Sequence, residues 1–194
     1  VHLGAMPEAV AAVRDRDPEP GEAYILNDPF AGGTHLPDVT VVSTVAPDER
    51  ILGYAVTRAH HADVGGGTPG SMPAGATETH QEGLRIPGGR IVADGETDED
   101  LLEFVLANVR NPEERRADLR GQLAANERGG RRIADLLDEY GRDGLENAFD
   151  AVIDYSRERI ETEIAAIPDG TYEATDVLEG DGVTNRRLCR ERPE

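Results

Sequence analysis

The chain is 194 residues long, enough for one medium domain or two small ones with a buried core. Its 39 aspartates and glutamates outnumber 20 basic residues, all of them arginine, and leave a net charge of −19. Such an acidic, lysine-free surface argues against nucleic acid and anionic membranes as partners. It suits a halophilic protein, in which screening at high salt suppresses self-repulsion. The single cysteine, Cys189, has no internal partner for a disulfide. With no signal peptide and no apolar run of spanning length, the expected protein is soluble and cytoplasmic. An opening valine and an arginine-rich ending, RRLCRERPE, read as the two cut ends of a longer polypeptide.

In chain order, residues 7–16 place Ala9, Val10 and Val13 at helical spacing, which predicts a short amphipathic helix. The run Asp17-Pro18-Glu19-Pro20-Gly21 ends it, and 22–26 reads as a strand delivering the turn Asn27-Asp28-Pro29. Residues 39–45 are rich in β-branched side chains and 51–59 are apolar to small, with Pro47-Asp48-Glu49-Arg50 as the turn between them. Paired as an antiparallel hairpin, residues whose numbers sum to 97 or 98 face one another. From 63 to 89 the chain has no period, and a loop of that length is more often functional than filler. Ile91-Val92 is a brief strand before the turn at Asp94-Gly95-Glu96.

The character changes at Thr97, which is placed at the cap of a helix carrying Leu101, Leu102, Val105, Leu106 and Val109. Asn111-Pro112 starts a second helix read as one piece to Tyr140, in which Gly129-Gly130 is the point where a break or kink could fall. A third, residues 145–167, turns Ala148, Val152, Ile160, Ile164 and Ile167 inward, and 171–178 reads as a strand. The fold class is therefore α+β: a β-hairpin-rich site region (1–96), a helical region (97–170) and a strand with a truncated tail (171–194).

The hairpin arithmetic sets Asp38 beside His60, with opposed Cβ atoms about 5 Å apart. His35 precedes Asp38 across Leu36-Pro37, where proline favours a bend. Two imidazoles and a carboxylate meeting at one point are ligand types for Mn, Fe or Zn, without the cysteines of a structural zinc site. The alternative is that His35, Asp38 and His60 only cap turns and strand ends. His61 alternates to the other strand face; it and Asp63 are candidates to orient substrate or take a proton. Asp63 serves equally as an acceptor for the outer N–H of a ligating ring. Asp28 and Arg58 flank the set, and Arg58 meets either a carboxylate substrate or an acidic neighbour. Gly65-Gly66-Gly67 is no phosphate loop, since that pattern requires a lysine the chain lacks.

The segments GEAYILNDPFAGGTHLPDVTVV, TRAHHADVGGGTPGSMP, ATETHQEGLRIP and LANVRNPEERRADLRGQLAANERG occur in this order. In them the chain resembles the hydantoinase B/oxoprolinase family, from Val1 to about Thr184. That family takes in the B subunit of N-methylhydantoinase, part of 5-oxoprolinase, and a subunit of acetone carboxylases. The resemblance implies ATP-dependent opening of a cyclic amide such as a hydantoin or 5-oxoproline. A partner of the hydantoinase A type handles ATP and phosphorylates the substrate's carbonyl oxygen. It also implies a divalent metal on His35, Asp38 and His60. Two alternatives remain at this point: a ketone carboxylase subunit using the same site, and a non-catalytic scaffold subunit.

Overall fold

The computed structural model describes residues 3–175. Contacts divide the described chain at Gly141 into two compact units. The first holds a five-stranded antiparallel sheet in the order β3-β2-β1-β4-β5. Its strands are β1 (Ala23–Leu26), β2 (Asp38–Val45), β3 (Gly53–His60), β4 (Gly89–Ala93) and β5 (Glu96–Thr97). The expected α+β class is present, with the sheet followed by long helices. The β4–β5 hairpin turns on Asp94 and Gly95, both with positive φ (53° and 77°). That is the mirror-image turn whose twist matches flanking strands.

Helices cover both faces of this sheet. Helix α1 (Met6–Arg14) buries Ala9 and Val13 against Tyr24, Leu26 and Val42, so residues 9, 10 and 13 face inward as their spacing predicts. On the opposite face Ile25, Val39, Val41 and Ile91 meet Leu102, Val105 and Leu106 of α2 (Glu99–Ala107) and Leu119 of α3 (Pro112–Ala165). β1 sits at the centre of the sheet and all four of its residues are buried, which explains its unbroken apolar run.

Three sequence expectations need correction. The cap of α2 is Asp98, not Thr97: its carboxylate accepts the Leu101 N–H at 2.9 Å, satisfying a donor that the first turn leaves open. The single helix expected through Gly129-Gly130 is present, for α3 runs through both residues without a break. Added Cβ atoms there would meet only Ala55 and Val45, at 3.9 and 3.7 Å, an ordinary van der Waals distance, so packing on β3 and β2 does not require glycine at either position. The break comes at Gly141 (φ 71°, ψ 168°), a conformation closed to most other residues. After it, Val152, Ile160, Ile164 and Ile167 are exposed, not inward. Helical periodicity reports an apolar stripe but not what lies against it. Finally, residues 171–175 form no strand, and 176–194, including Cys189 and the tail, lie outside the described residues. No described helix is long and apolar enough to cross a membrane.

The long loop between β3 and β4 contains one 3-10 turn, Thr79–Gln81, and is tied down by polar contacts. Asn27 is fully buried just past β1. Its Nδ2 donates to Leu36 O and Leu84 O at 2.8 and 2.9 Å, and its Oδ1 accepts from Ile86 N at 2.7 Å. One amide therefore joins the His35 turn, the long loop and the central strand. Truncating it by Asn27→Ala leaves two carbonyls and one N–H without partners in the interior. Urea unfolding of that variant should show a loss of roughly 3 kcal/mol at unchanged slope.

Candidate metal centre

β2 and β3 pair from Asp38↔His60 to Val45↔Gly53, so facing residue numbers sum to 98, within the sequence estimate. Asp38 opens β2 and His60 closes β3 on the same sheet face. His35 reaches them from a tight turn in which Asp38 N donates to His35 O at 2.9 Å. Buried Leu36 pins that turn, and its carbonyl is held by Asn27. Asp28 shapes the approach: its Oδ1 accepts from Phe30 N, and its backbone carbonyl accepts from Ala31 N and Gly33 N. Any Cβ on Gly33 would fall 2.5 Å from Asn27 O, so the close turn before Thr34 and His35 requires glycine.

The three side chains predicted as a set are brought together. Asp38 Oδ2 lies 2.8 Å from His35 Nδ1, and Oδ1 lies 3.4 Å from His60 Nδ1. The two rings stand 5.0 Å apart, centroid to centroid, inclined by 38°. One ligand atom from each residue can be chosen so that all lie within 4.8 Å of one another. Ligand atoms around one ion at about 2.1 Å fall within about 4.2 Å of each other, so small side-chain rotations close the set. The carboxylate is 3% exposed and forms the floor, whereas His35 (34%) and His60 (58%) form an open rim. Two imidazoles and one carboxylate on the solvent side leave coordination positions open. Thr34 Oγ1 donates to Asp38 Oδ2 at 2.7 Å and orients it, a contact the sequence did not suggest.

His61 and Asp63 are placed elsewhere. His61 is buried on the opposite face, with Nε2 2.9 Å from Gln122 Oε1 of α3. Gln122 gives its Nε2 to Val39 O, which turns its oxygen toward the ring, so His61 Nε2–H is the donor. Burial pushes the His61 imidazole below its ordinary pKa, partly opposed by the Gln122 bond. The Asp63 carboxylate accepts from Gly65 N, Gly70 N and Arg110 N and pairs with the Arg110 guanidinium at 3.1 Å. It fastens the glycine-rich loop to the α2–α3 junction. Asp28 Oδ2 faces Arg85 at 3.5 Å. Arg58 sits on the triad's face, two pairs along at Thr40↔Arg58. Gln122 and the buried Asn126, which donates to Val41 O, were missed by sequence reading. Their spacing from Leu119 along the inward stripe of α3 was the available signal.

A family model described as hydantoinase B/oxoprolinase matches residues 1–190. An uncharacterised protein of Methanocaldococcus jannaschii is 36% identical over 185 residues, covering 92% of this chain and 33% of its own. The caprolactamase subunit beta of Pseudomonas jessenii is 31% identical over 186 residues, covering 94% of this chain and 32% of its own. The crystal structure of ATP-dependent caprolactamase from Pseudomonas jessenii superposes with a TM-score of 0.85 at 30% identity, over 92% of this chain and 31% of that one. The chain thus spans about a third of the length of these relatives.

The Asp63 anchor gives a pH signature. Burial alone would raise its pKa, but the Gly65, Arg110 and Gly70 N–H groups and the Arg110 side chain outweigh it and hold the carboxyl below its ordinary value. A carboxyl with a depressed folded pKa contributes stability above its unfolded value, about 3.9, and loses it as pH falls through the folded one. Asp63→Asn should therefore be less stable than wild type by about 2 kcal/mol at pH 7, with the gap closing below about pH 4 in denaturant titrations.

Proposed function

The chain belongs to the hydantoinase B/oxoprolinase family, and from that premise we propose that it is the B-type component of an ATP-dependent cyclic-amide hydrolase with a divalent metal on His35, Asp38 and His60. The observation carrying this reading is the convergence of those three side chains, from two strand ends and a turn, at an open rim. The donor set suits Mn, Fe or Zn. When bound, such an ion polarises a carbonyl and brings the pKa of a water toward about 7.

The chain's own residues divide the remaining work. Asp38 anchors the set from below, oriented by Thr34. His35 and His60 present their imidazoles toward incoming substrate. Asp28, Arg85 and Gly33 hold the loop that delivers His35. His61, directly after a proposed ligand, locks the end of β3 to α3 through Gln122. Asp63 does the same for the glycine-rich loop through Arg110. We read both as positioning residues, because His61 Nε2 and the Asp63 carboxylate are engaged on the side of the sheet away from the rim.

A lactam or imide resists hydrolysis through amide resonance, and phosphorylating its oxygen supplies a leaving group. This chain has no lysine for a phosphate loop, which supports handling of ATP by a separate partner of the hydantoinase A type. The caprolactamase relative is named as a subunit beta, consistent with such a partner. Cytoplasmic ATP would place the reaction there.

The test pairs metal analysis with turnover of hydantoin or 5-oxoproline in the presence of the A-type partner. His60→Ala should drop bound metal at least about tenfold and ATP-dependent hydrolysis by about a hundredfold or more. Retention of both metal and full turnover would leave only a scaffolding role.

A further inference from the structure

Arg58 lies two residues before His60, so its side chain leaves β3 on the triad's face. Its Nε donates to Thr40 Oγ1 at 2.8 Å and its Nη2 to Gly32 O at 3.3 Å. One edge of the guanidinium is thus shared between β2 and the loop that carries His35. Nη1 is buried and has no hydrogen-bond partner. Arg85, Arg90, Arg110 and Arg115 each pair with a carboxylate; Arg58, among the described residues, pairs with none. In a chain with 39 acidic residues, a half-buried cation left without a counter-ion needs a reason. An unused charged donor costs more to bury than it returns unless some state of the protein supplies its acceptor.

We propose that Arg58 is the receptor for an oxyanion, a carboxylate or a phosphate, on the ligand that binds at the triad. This rests on the reading of His35, Asp38 and His60 as a metal centre. An anion there would lie between a divalent ion and a guanidinium, the planar donor best matched to carboxylate and phosphate oxygens. The bond to Gly32 O is the longer of the two that Arg58 makes and has a neutral acceptor. An incoming oxyanion therefore replaces a weak partner with a charged one, and a small turn of the guanidinium brings the buried Nη1 to an acceptor it otherwise lacks. Either the substrate carries the anion as a carboxylate, or it is the phosphoryl group placed on the carbonyl oxygen. Asp28, the nearby buried acid in the same loop, is already engaged by Phe30 N and Arg85 and does not compete.

The experiment uses the full 194-residue chain with Mn(II) as probe metal, and three ligands: inorganic phosphate, 5-oxoproline and uncharged ε-caprolactam. Mn(II) affinity is measured first, by competition with a chelator, in wild type and Arg58→Gln. It should agree within about threefold, while phosphate or 5-oxoproline affinity falls about tenfold or more in the variant. Loss confined to 5-oxoproline identifies a substrate carboxylate, and loss confined to phosphate identifies the phosphoryl group. In wild type, 5-oxoproline or phosphate should bind well ahead of ε-caprolactam, a comparison that needs no variant. Arg58→Lys, which keeps the charge without the fork, should retain part of the oxyanion binding and guards against a misfolded glutamine variant.

Unchanged oxyanion binding in Arg58→Gln overturns the proposal, as does a parallel fall in Mn(II) affinity, which would make Arg58 only a clasp for the His35 loop. Failure of wild type to bind Mn(II) sinks the metal centre instead. Phosphate titration of the metal-free chain, followed by NMR, still decides the role of Arg58 in that case.

Discussion

Everything at the site hangs on the register of one antiparallel pairing. With Asp38 facing His60, both side chains rise from the same face of the sheet, and His35 needs only a four-residue turn to join them. A slip of one residue would turn His60 to the α3 side and bring His61 in its place. Two features hold the register. Most of β2 is buried, so a slip would drive its apolar set out of two cores at once. The connecting turn is also fixed, with Leu52 N donating to Val45 O at 2.8 Å and Glu49 in a left-handed conformation (φ 63°).

The second constraint is that buried polar side chains do the joining. Asn27, Gln122 and Asn126 each spend an amide on backbone carbonyls of other segments. Loops have no ladder to satisfy their peptide groups, so a buried side chain with both donor and acceptor substitutes for one. Asn27 does this for the His35 turn and the long loop together. The rim can thus be open to solvent while its floor is rigid, a division a metal centre needs if it is to exchange ligands without losing its geometry.

How far the sequence led follows from the range of the interactions. The β2–β3 hairpin was legible because strand period, a proline-containing turn and polar ends all lie within a short span. Residues His35, Asp38 and His60 followed from it. The partners of His61 and Asp63 were not legible, since Gln122 and Arg110 lie 61 and 47 residues away and no local pattern points to them. The exposed stripe after Gly141 misled for a related reason: amphipathicity is local, whereas burial belongs to the partner.

Net charge and site charge pull in opposite directions, and their ranges decide which matters. A chain at −19 draws divalent cations and repels anionic substrates at long range. At physiological ionic strength the screening length is about 8 Å, so distant acids barely act inside the site. The local set is the Asp38 carboxyl, the His35 and His60 imidazoles and the Arg58 guanidinium, which among the described residues pairs with no carboxylate. A divalent ion held there would add positive charge beside Arg58 while the surface stays acidic. An anionic ligand would then meet an unfavourable field at long range and a favourable one beside the ion and Arg58. Removing Arg58 leaves that inner field to the ion alone, without a planar donor to orient the anion against it.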